Sequence, residues 1–429
     1  MPAGTIYAVS SGNPPAAIAV LRISGPEAPG ALTSLAGRLP KPRHASLVAL
    51  RHPSTGELLD NALALFFPGP GSATGEDAAE LHLHGGRSVV RAVLAALAEM
   101  PGLREAQPGE FTRRAFENGR VDLAEAEGLA DLLVAETEAQ RRAALALAGG
   151  ALSRTVEAWQ HSLLAIAARL EAALDFADEA DVDEEQSLID LAAVRRLTEE
   201  IQAILDRPST ERLRDGVRVV IAGPPNTGKS SLINWLAGRQ AAITSAVAGT
   251  TRDLIEAPTA IGGTAFILID TAGLRDSGDE IEAIGVQRAR EILAAADLIL
   301  WLGDPKDCPA RNRAINVRSM ADLRSDPPGP DVDVSISSET GEGMNELVHL
   351  LVTSSRALLP PDGEVAINLR HRSALSDCLS ALHDVASTPD PVLAAESLRQ
   401  ARRALDSITG RAGVEDMLDA LFGRFCIGK

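Results

Sequence analysis

The chain has 429 residues, of which 45% are hydrophobic and 23% charged, and its formal net charge is −18. This length exceeds one ordinary core and predicts two or three domains, while the charge excludes a surface that is basic throughout. The first residues lack a secretory-signal pattern, no apolar run reaches membrane-spanning length, and Cys308, Cys378 and Cys426 have no metal-ligand spacing, so a cytoplasmic protein without a membrane segment is expected.

Four segments follow one another along the chain. Residues 1–118 alternate short β-like runs with Pro and Gly turns and contain one expected helix, SVVRAVLAALAEM, which predicts an α+β domain. Residues 119–213 have helical periodicity, residues 214–360 alternate strands and helices as in a doubly wound α/β sheet, and residues 361–429 are helical again. The economical arrangement is one discontinuous helical domain with the α/β domain inserted into it.

The strongest motif lies in the α/β segment. VRVVIAGPPNTGKSSLINWLAG has the pattern G-x4-G-K-S between Gly223 and Ser230, directly after an apolar strand and at the start of a helix. In such a loop backbone N–H groups surround the phosphates, Lys229 reaches the β and γ oxygens, and Ser230 binds Mg²⁺. A chance glycine-rich turn is the alternative, which the strand, the spacing and the helix together disfavour.

Two further motifs follow in the order typical of a GTPase. AVAGTTRD offers Thr251 as a second Mg²⁺ ligand, in a switch segment that the γ-phosphate orders. FILIDTAG places Asp270 at the tip of a strand, where it holds the Mg²⁺ shell, and Gly273 where its N–H meets the γ-phosphate. Each of these motifs is weak alone, but the three in order predict a GTPase.

The next position, Leu274, is apolar and cannot orient an attacking water. The catalytic group must therefore come from elsewhere. Asp279, Glu280 and Glu282 form an acidic run in the switch region, and from the residues alone this run fits either a solvated loop or a catalytic site.

The guanine-reading motif departs from the usual Asn-Lys-x-Asp. In INVRSMADL, Asp322 takes the position of the aspartate, but Ser319 and Met320 replace the asparagine and the lysine. DPKD, at residues 304–307, comes one strand too early and is interpreted as a turn. GTP is still the predicted nucleotide, with binding weakened by on the order of 1–3 kcal/mol because neighbouring contacts are lost.

The predicted nucleotide-binding residues come from these motifs and from SISSETGEG, which lies near the base. They are Asn226, Thr227, Gly228, Lys229, Ser230, Ser231, Ser245, Ala246, Val247, Ala248, Gly249, Thr250, Thr251, Asp270, Thr271, Ala272, Gly273, Asp322, Ser337 and Ser338.

The chain as a whole resembles the MnmE (TrmE) family of tRNA modification GTPases, within the TrmE-Era-like GTPases. The resemblance covers nearly the full length and is carried by LRISG, FPGPGSATGEDAAELHLHGG, PGEFTRRAFENGRVDLAEAEGLADLL, the nucleotide motifs, GLRDSGDEIEAIGVQRA and FCIGK. It implies an N-terminal domain that binds tetrahydrofolate and dimerises, a discontinuous helical domain, and an inserted Ras-like P-loop G domain.

The same resemblance implies an activity and partners. The homodimer would act with an MnmG-type flavoprotein, in a heterotetramer, to add a carboxymethylaminomethyl or aminomethyl group at C5 of the wobble uridine (U34) of certain tRNAs. The carbon would come from 5-formyl- or 5,10-methylene-tetrahydrofolate. K⁺-dependent pairing of the G domains would activate GTP hydrolysis, with Glu282 orienting the attacking water. The implied K⁺ ligands are Asn226, Ser245, Val247 and Thr250.

The folate residues implied by the resemblance are Arg22, Glu80, Arg120 and Lys429, which is one of only four lysines in the chain. Arg22 could otherwise be a surface charge at the edge of a strand, and the same alternative applies to Glu80. In the terminal FCIGK, Phe425 is expected to be anchored in the core. Cys426 is expected to pack as a small hydrophobe, with a chemical role as the alternative.

Two other functions stay open at this point. One is a regulatory GTPase associated with RNA or ribosomes, and the other is a folate-binding scaffold with a weakened nucleotide site. The sequence does not reveal a surface for RNA. A basic face on the last helices is as well explained by an ordinary solvated surface. The residues of this face would be Arg399, Arg402, Arg403, Arg411 and Arg424.

Overall fold

The computed structural model describes residues 4–175, 189–238, 256–270, 291–361, 363–411, 418, 421–423 and 425–428. Its contacts divide the chain into two units. Unit 1 contains Met1–Ala130 and Asp406–Lys429, and unit 2 contains Asp131–Leu405. The domain bounds predicted from the sequence stay a prediction. No helix among the described residues is long and apolar enough to cross a membrane.

Unit 1 is built on a six-stranded sheet in the order β3-β4-β5-β2-β1-β6. Its strands are β1 (Thr5–Val9), β2 (Ile18–Ser24), β3 (Ser46–Arg51), β4 (Leu58–Phe67), β5 (Ala78–His84) and β6 (Leu103–Glu105). Its helices are α1 (Ala28–Ala36), α2 (Arg87–Ala98) and α3 (Glu110–Glu117), with α4 (Leu123–Val134) running on past residue 130.

Alternation along β2 assigns each residue to one face of this sheet. Ala19, Leu21 and Ile23 are buried in the main core of the unit. Arg22 and Ser24, which lie between and beyond them, therefore face the opposite side. That side carries a smaller core in which Phe111 of α3 joins Ile6 and Ala8 of β1.

A buried charge network fixes α3 to this second face. The side chain of Glu110 is 0% exposed and pairs with Arg104 and Arg114, and Arg114 also donates to Glu76 at 2.9 Å. Burial itself acts to raise the pKa of Glu110. Hydrogen bonds from Arg104, the Gln107 backbone and Arg114 outweigh it, so the pKa lies below its usual range.

The helices of unit 2 outside its sheet are α5 (Glu138–Ala148), α6 (Ala151–Asp175), α7 (Leu191–Leu205), α8 (Glu211–Asp215), α11 (Leu369–Ser387) and α12 (Pro391–Thr409). Thr137 and Gln140 form a capping box at the start of α5. The Gln140 amide also donates to the carbonyl oxygens of Leu213 and Arg214, both at 3.0 Å. This amide thus fastens α5 to the end of α8, directly before the first strand of the second sheet.

The second sheet has six strands in the order β12-β11-β10-β7-β9-β8. Every adjacent pair is parallel except β8 with β9. The strands are β7 (Val217–Ala222), β8 (Glu256–Ile261), β9 (Thr264–Asp270), β10 (Leu298–Trp301), β11 (Ala314–Arg318) and β12 (Val334–Ser335), and the helices include α9 (Lys229–Gly238) and α10 (Met344–Arg356). Both faces of β7 are buried, as a central strand of a doubly wound sheet requires.

The predicted multidomain architecture of α+β and α/β parts is confirmed, but two helices of the first segment were not expected. α1 contains Pro29 and Gly30, which resemble turn signals, although proline is well placed in the first turn of a helix. α3 follows Gly109 at φ 68°, which hides its start in a glycine turn.

Candidate functional site

The phosphate-binding loop connects β7 to α9. Gly223 has φ 150° and Gly228 has φ 86°, and a Cβ on Gly223 would lie 3.0 Å from the backbone of Leu302. Asn226 also has a positive φ, of 60°, which is rare outside glycine. The loop therefore depends on glycine where the sequence has it, and its N–H groups lead into the N-terminus of α9.

Lys229 is the first residue of α9 and is 7% exposed. Its Nζ donates to the carbonyl oxygens of Gly223 at 3.1 Å and Pro224 at 2.6 Å. The ammonium is thus held at the opening of its own loop, where phosphate oxygens would take its hydrogen bonds.

Ser230 and Asp270 meet beside this loop. The Ser230 hydroxyl donates to Oδ2 of Asp270 at 3.1 Å. Asp270 is the last residue of β9, is paired with Ile221 of β7, and is 6% exposed. Because β7 and β9 are neighbours in the sheet, the structure brings together a hydroxyl and a carboxylate of the kind that ligate Mg²⁺.

The residues that replace the guanine-reading motif lie against the phosphate loop. The Ser319 hydroxyl donates to the carbonyl oxygen of Thr227 at 2.6 Å, and Ser319 is 7% exposed. Met320 has φ 57°, and its methyl carbon would lie 3.6 Å from a Cβ on Gly228. Asp322 follows in a short 3-10 helix and is exposed. The loop after β11 is therefore fastened to the loop between β7 and α9.

The loop after β12 joins the same region, since the N–H of Ala321 donates to the carbonyl of Ile336 at 3.0 Å. Ser337 is fully buried and accepts from the N–H of Thr340, and Ser338 is half-buried. Residues 304–307 instead form a turn after β10, in which the Asp304 carboxylate caps Lys306. The interpretation of DPKD as a turn is confirmed.

The other predicted nucleotide, metal and catalytic residues lie outside the described residues. They are Ser245, Ala246, Val247, Ala248, Gly249, Thr250, Thr251, Thr271, Ala272, Gly273 and Glu282. Ser231, which is described, lies in the first turn of α9 and is exposed.

A second group of predicted residues meets in unit 1. Arg22 and Glu80 are directly opposite each other on β2 and β5, with Nε of Arg22 2.7 Å from Oε1 of Glu80. β2 is an inner strand, so Arg22 does not lie at the edge of the sheet, although its side chain is 37% exposed. His82, which was not predicted, lies two residues beyond Glu80 with Nε2 3.6 Å from Oε2 of Glu80. The only feature of the sequence that could have indicated His82 is its alternation with apolar residues in ELHLH, which places it on the same face of β5 as Glu80.

The C-terminal tail reaches the same face. Gly428 accepts a hydrogen bond from the Ser10 hydroxyl at 2.7 Å, and Ile427 bridges to Pro108. Ser10 comes two residues after Ala8, which pairs with Arg22, so the tail is held just past the end of the strand that neighbours Arg22. Gly428 has φ 94°, and a Cβ there would lie 2.2 Å from the carbonyl oxygen of Val9.

The two expectations for FCIGK have different outcomes. Phe425 is 5% exposed and belongs to a cluster with Leu123, Ala126 and Phe422, so its anchoring is confirmed. Cys426 is exposed, so the expectation that it packs is wrong. The helical spacing from Phe422 does not apply, because the chain leaves the helix before residue 426. Lys429 lies outside the described residues.

Arg120 is exposed and lies next to another loop of this face. A Cβ on Gly75 would lie 3.3 Å from Cγ of Arg120. The adjacent Glu76 accepts a hydrogen bond from Ser24, two residues from Arg22 on the same face of β2. Arg120 thus lies against the 74–76 loop, which Ser24 joins to β2.

Comparison with known proteins identifies the family of the chain. The family model described as "GTP-binding protein TrmE N-terminus" matches residues 5–120, and the one described as "MnmE helical domain" matches residues 123–426. A tRNA modification GTPase MnmE of Rhizorhabdus wittichii is 58% identical over 99% of this chain and 96% of its own length.

Two further relatives carry the same name. That of Novosphingobium aromaticivorans is 55% identical over 99% of both chains, and that of Erythrobacter litoralis is 55% identical over 99% of this chain and 100% of its own. By identity, coverage and both family models, the chain belongs to the MnmE family of tRNA modification GTPases.

Proposed function

We propose that this chain hydrolyses GTP in order to modify the wobble uridine (U34) of certain tRNAs at C5. It acts as a homodimer with an MnmG-type flavoprotein, and the group added is carboxymethylaminomethyl or aminomethyl. The observation that carries the hydrolytic part is the meeting of Ser230 and Asp270 beside the Lys229 loop. The tRNA part rests on the family to which the chain belongs.

The described residues fit a magnesium nucleotide. Ser230 and Asp270 supply the hydroxyl and carboxylate, and Lys229 is positioned to donate to β and γ oxygens in place of its present carbonyl partners. Bound Mg²⁺ would neutralise charge on those oxygens. The N-terminus of α9 and the loop N–H groups bind the remaining phosphate oxygens.

Hydrolysis is activated when two G domains pair around K⁺. Asn226 is exposed at the turn of the loop, so its side chain is accessible to an ion near the phosphates. Ser245, Val247, Thr250 and Thr251 complete the ion sites, and Glu282 orients the attacking water. These last assignments rest on the resemblance of their motifs.

Guanine is recognised by Asp322, which lies on a loop that Ser319 fastens to Thr227. Ser319 thereby takes over the role of the missing asparagine in holding the base-reading loop against the phosphate-binding loop. Met320 offers no charge to the base, so discrimination against adenine depends on one carboxylate and is weaker than with a complete motif.

Tetrahydrofolate binds on the second face of the unit 1 sheet. Glu80 provides an acceptor for the N–H groups of a pterin ring, and Arg22 a donor for carboxylates. Ser10 holds the tail at Gly428, and Arg120 lies against Gly75. Lys429 and Arg120 are assigned to the site by the resemblance of their motifs. The one-carbon unit is drawn from 5-formyl- or 5,10-methylene-tetrahydrofolate.

The proposal is tested by nucleoside analysis of wobble uridine in cells that lack this protein. The C5-modified nucleoside should disappear, return with the unaltered gene, and stay absent with Lys229→Ala. Lys306→Ala is the matched control, because Lys306 is an exposed lysine in the turn after β10 and should restore the nucleoside. An unchanged nucleoside in the deletion strain would rule the proposal out.

A further inference from the structure

Residues 28–56 are free of acidic side chains. This stretch has no aspartate or glutamate, in a chain with 59 acidic residues and a net charge of −18. The only longer stretch without a carboxylate side chain is residues 216–252, which contains the phosphate-binding loop. A local positive excess in an acidic protein marks a surface for an anionic partner. The fixed positive charges of residues 28–56 are Arg38, Lys41, Arg43 and Arg51.

Three of these charges share the loop between α1 and β3, where Arg38, Lys41 and Arg43 are all exposed. The backbone of the loop is fixed. The N–H of Arg43 donates to the carbonyl of Phe66 at 2.8 Å, and that of His44 to the carbonyl of Lys41 at 3.1 Å. The positive charges are therefore presented on an ordered turn, which lowers the entropy lost on binding.

Arg43 has the conformation of a residue held under constraint. Its φ is 59°, and the only other described residues besides glycine with positive φ are Asn226 and Met320, both in the nucleotide site. Such conformations cost of order 1 kcal/mol and concentrate at functional sites. The guanidinium of Arg43 lies over the Phe67 ring, 5.7 Å from its centroid, and donates to Gly71. Arg43 thus holds the loop, and Arg38 and Lys41 point to solvent.

These charges also lack the carboxylate partners that neighbouring arginines have. In unit 1, Arg22, Arg104 and Arg114 each pair with a glutamate. In the part of the chain that the structure describes, neither Arg38 nor Lys41 forms an ion pair. Their charge is therefore not neutralised internally and is available to a ligand.

We propose that the α1–β3 loop, residues 37–45, is a contact surface for the phosphate backbone of tRNA. This inference rests on the proposed function, in which tRNA is the substrate. A set of cations without interleaved acceptors suits a phosphate chain, which offers only acceptors, better than a protein surface, which offers both signs. Such contacts position an RNA by its shape and do not read its bases.

The test uses the full-length protein and a fluorescently labelled tRNA transcript, with anisotropy measured from about 50 to 200 mM KCl. Arg38→Gln with Lys41→Gln should weaken binding about tenfold at physiological salt, and should reduce the slope of log affinity against log salt by about 1.5, as expected for two lost phosphate contacts. Arg195→Gln with Arg196→Gln, an exposed pair on α7, is the control with the same charge change.

Three results would overturn the proposal: equal affinity and slope for the loop variant, an equal loss in the control, or no salt-dependent tRNA binding by the unaltered protein. Sedimentation of the loop variant must show the same oligomer, since dissociation into monomers would identify the loop as an interface between copies. GTP hydrolysis should be unchanged. Failure of the proposed function appears separately, as an unchanged wobble nucleoside in the deletion strain.

Discussion

The hydroxyl of Ser319 donates to the carbonyl oxygen of Thr227 across 2.6 Å, and so links the base-reading loop to the phosphate-binding loop. Removing this hydroxyl leaves a carbonyl acceptor unsatisfied and loosens the loop that carries Asp322. Ser319→Ala should therefore weaken GTP binding by about 1 kcal/mol, roughly fivefold, by isothermal titration calorimetry. Ser335→Ala is the control, because that hydroxyl has no hydrogen-bond partner in the described part of the chain. Equal losses in both variants would show that the link does not support nucleotide binding.

Nucleotide selectivity should rise when the missing motif is restored. The double variant Ser319→Asn with Met320→Lys restores both altered positions. It should bind GTP more tightly and prefer GTP over ATP at least tenfold more strongly than the unaltered protein, since it regains contacts worth roughly 1–3 kcal/mol. Competition of ATP against labelled GTP measures this preference. Strong exclusion of ATP by the unaltered protein would show that Asp322 does not need these neighbours.

Hydrolysis should depend on Glu282 and on K⁺. Glu282→Ala should lower the rate by 10² or more while GTP still binds, as expected for a group that positions the attacking water (about 10²–10⁴-fold). Glu280→Ala, two residues away in the same acidic run, is the matched control. Phosphate release measured in K⁺ and in Na⁺ completes the test, and equal rates in the two salts would contradict K⁺ activation.

The Glu110 network predicts a pH-dependent stability. The folded-state pKa of Glu110 lies below its ordinary value of 4.5, so its stabilising contribution is present above that value and is lost as pH falls through the folded pKa. Glu110→Gln should destabilise the protein by about 3 kcal/mol at neutral pH, because Arg104 and Arg114 lose a buried partner. Thermal unfolding at neutral pH and below pH 4.5 tests this, and the difference from the unaltered protein should shrink in acid. The exposed Glu57→Gln is the control.

The tail predicts a selective effect on folate. Gly428→Ala places a Cβ 2.2 Å from the Val9 carbonyl oxygen at φ 94°, so the tail must leave its position. Tetrahydrofolate affinity should fall at least tenfold, since about 1.4 kcal/mol of lost contact is enough, while GTP hydrolysis is retained. Gly12→Ala, where no atom lies within 4 Å of the added Cβ, is the control. Unchanged folate binding in Gly428→Ala would remove the tail from the site.

The local sequence pattern was sufficient to predict the positions of the phosphate-binding loop and of Asp270, because each lies at the end of the apolar strand that positions it. The contact of Ser319 with Thr227 could not be read in this way. The two residues are 92 positions apart, and only the sheet order, with β10 alone between β7 and β11, brings their loops together.

The contacts of unit 1 are also hard to predict from the sequence, because they join residues that are far apart along the chain. His82 lies near Glu80 in an ordinary alternating strand, and the juxtaposition of Glu80 with Arg22 appears only when β2 is paired with that strand. Helical spacing from Phe422 does not predict the exposure of Cys426, because the helix ends before residue 426. The sequence of α1 does not reveal a helix, because proline and glycine in its first turn resemble a loop.

The amide of Gln140 makes the helical part and the nucleotide part of unit 2 mechanically dependent on each other. It holds the two carbonyls that end α8, and β7 begins at Val217, so only Asp215 and Gly216 separate this attachment from the strand that leads to the phosphate loop. A rotation of α5 therefore strains two hydrogen bonds just before β7. Together with the hydrogen bonds that join Thr210 and Glu211 to Ile367 and Leu369, this side chain couples displacement of the helices to the strand that leads to the phosphate loop.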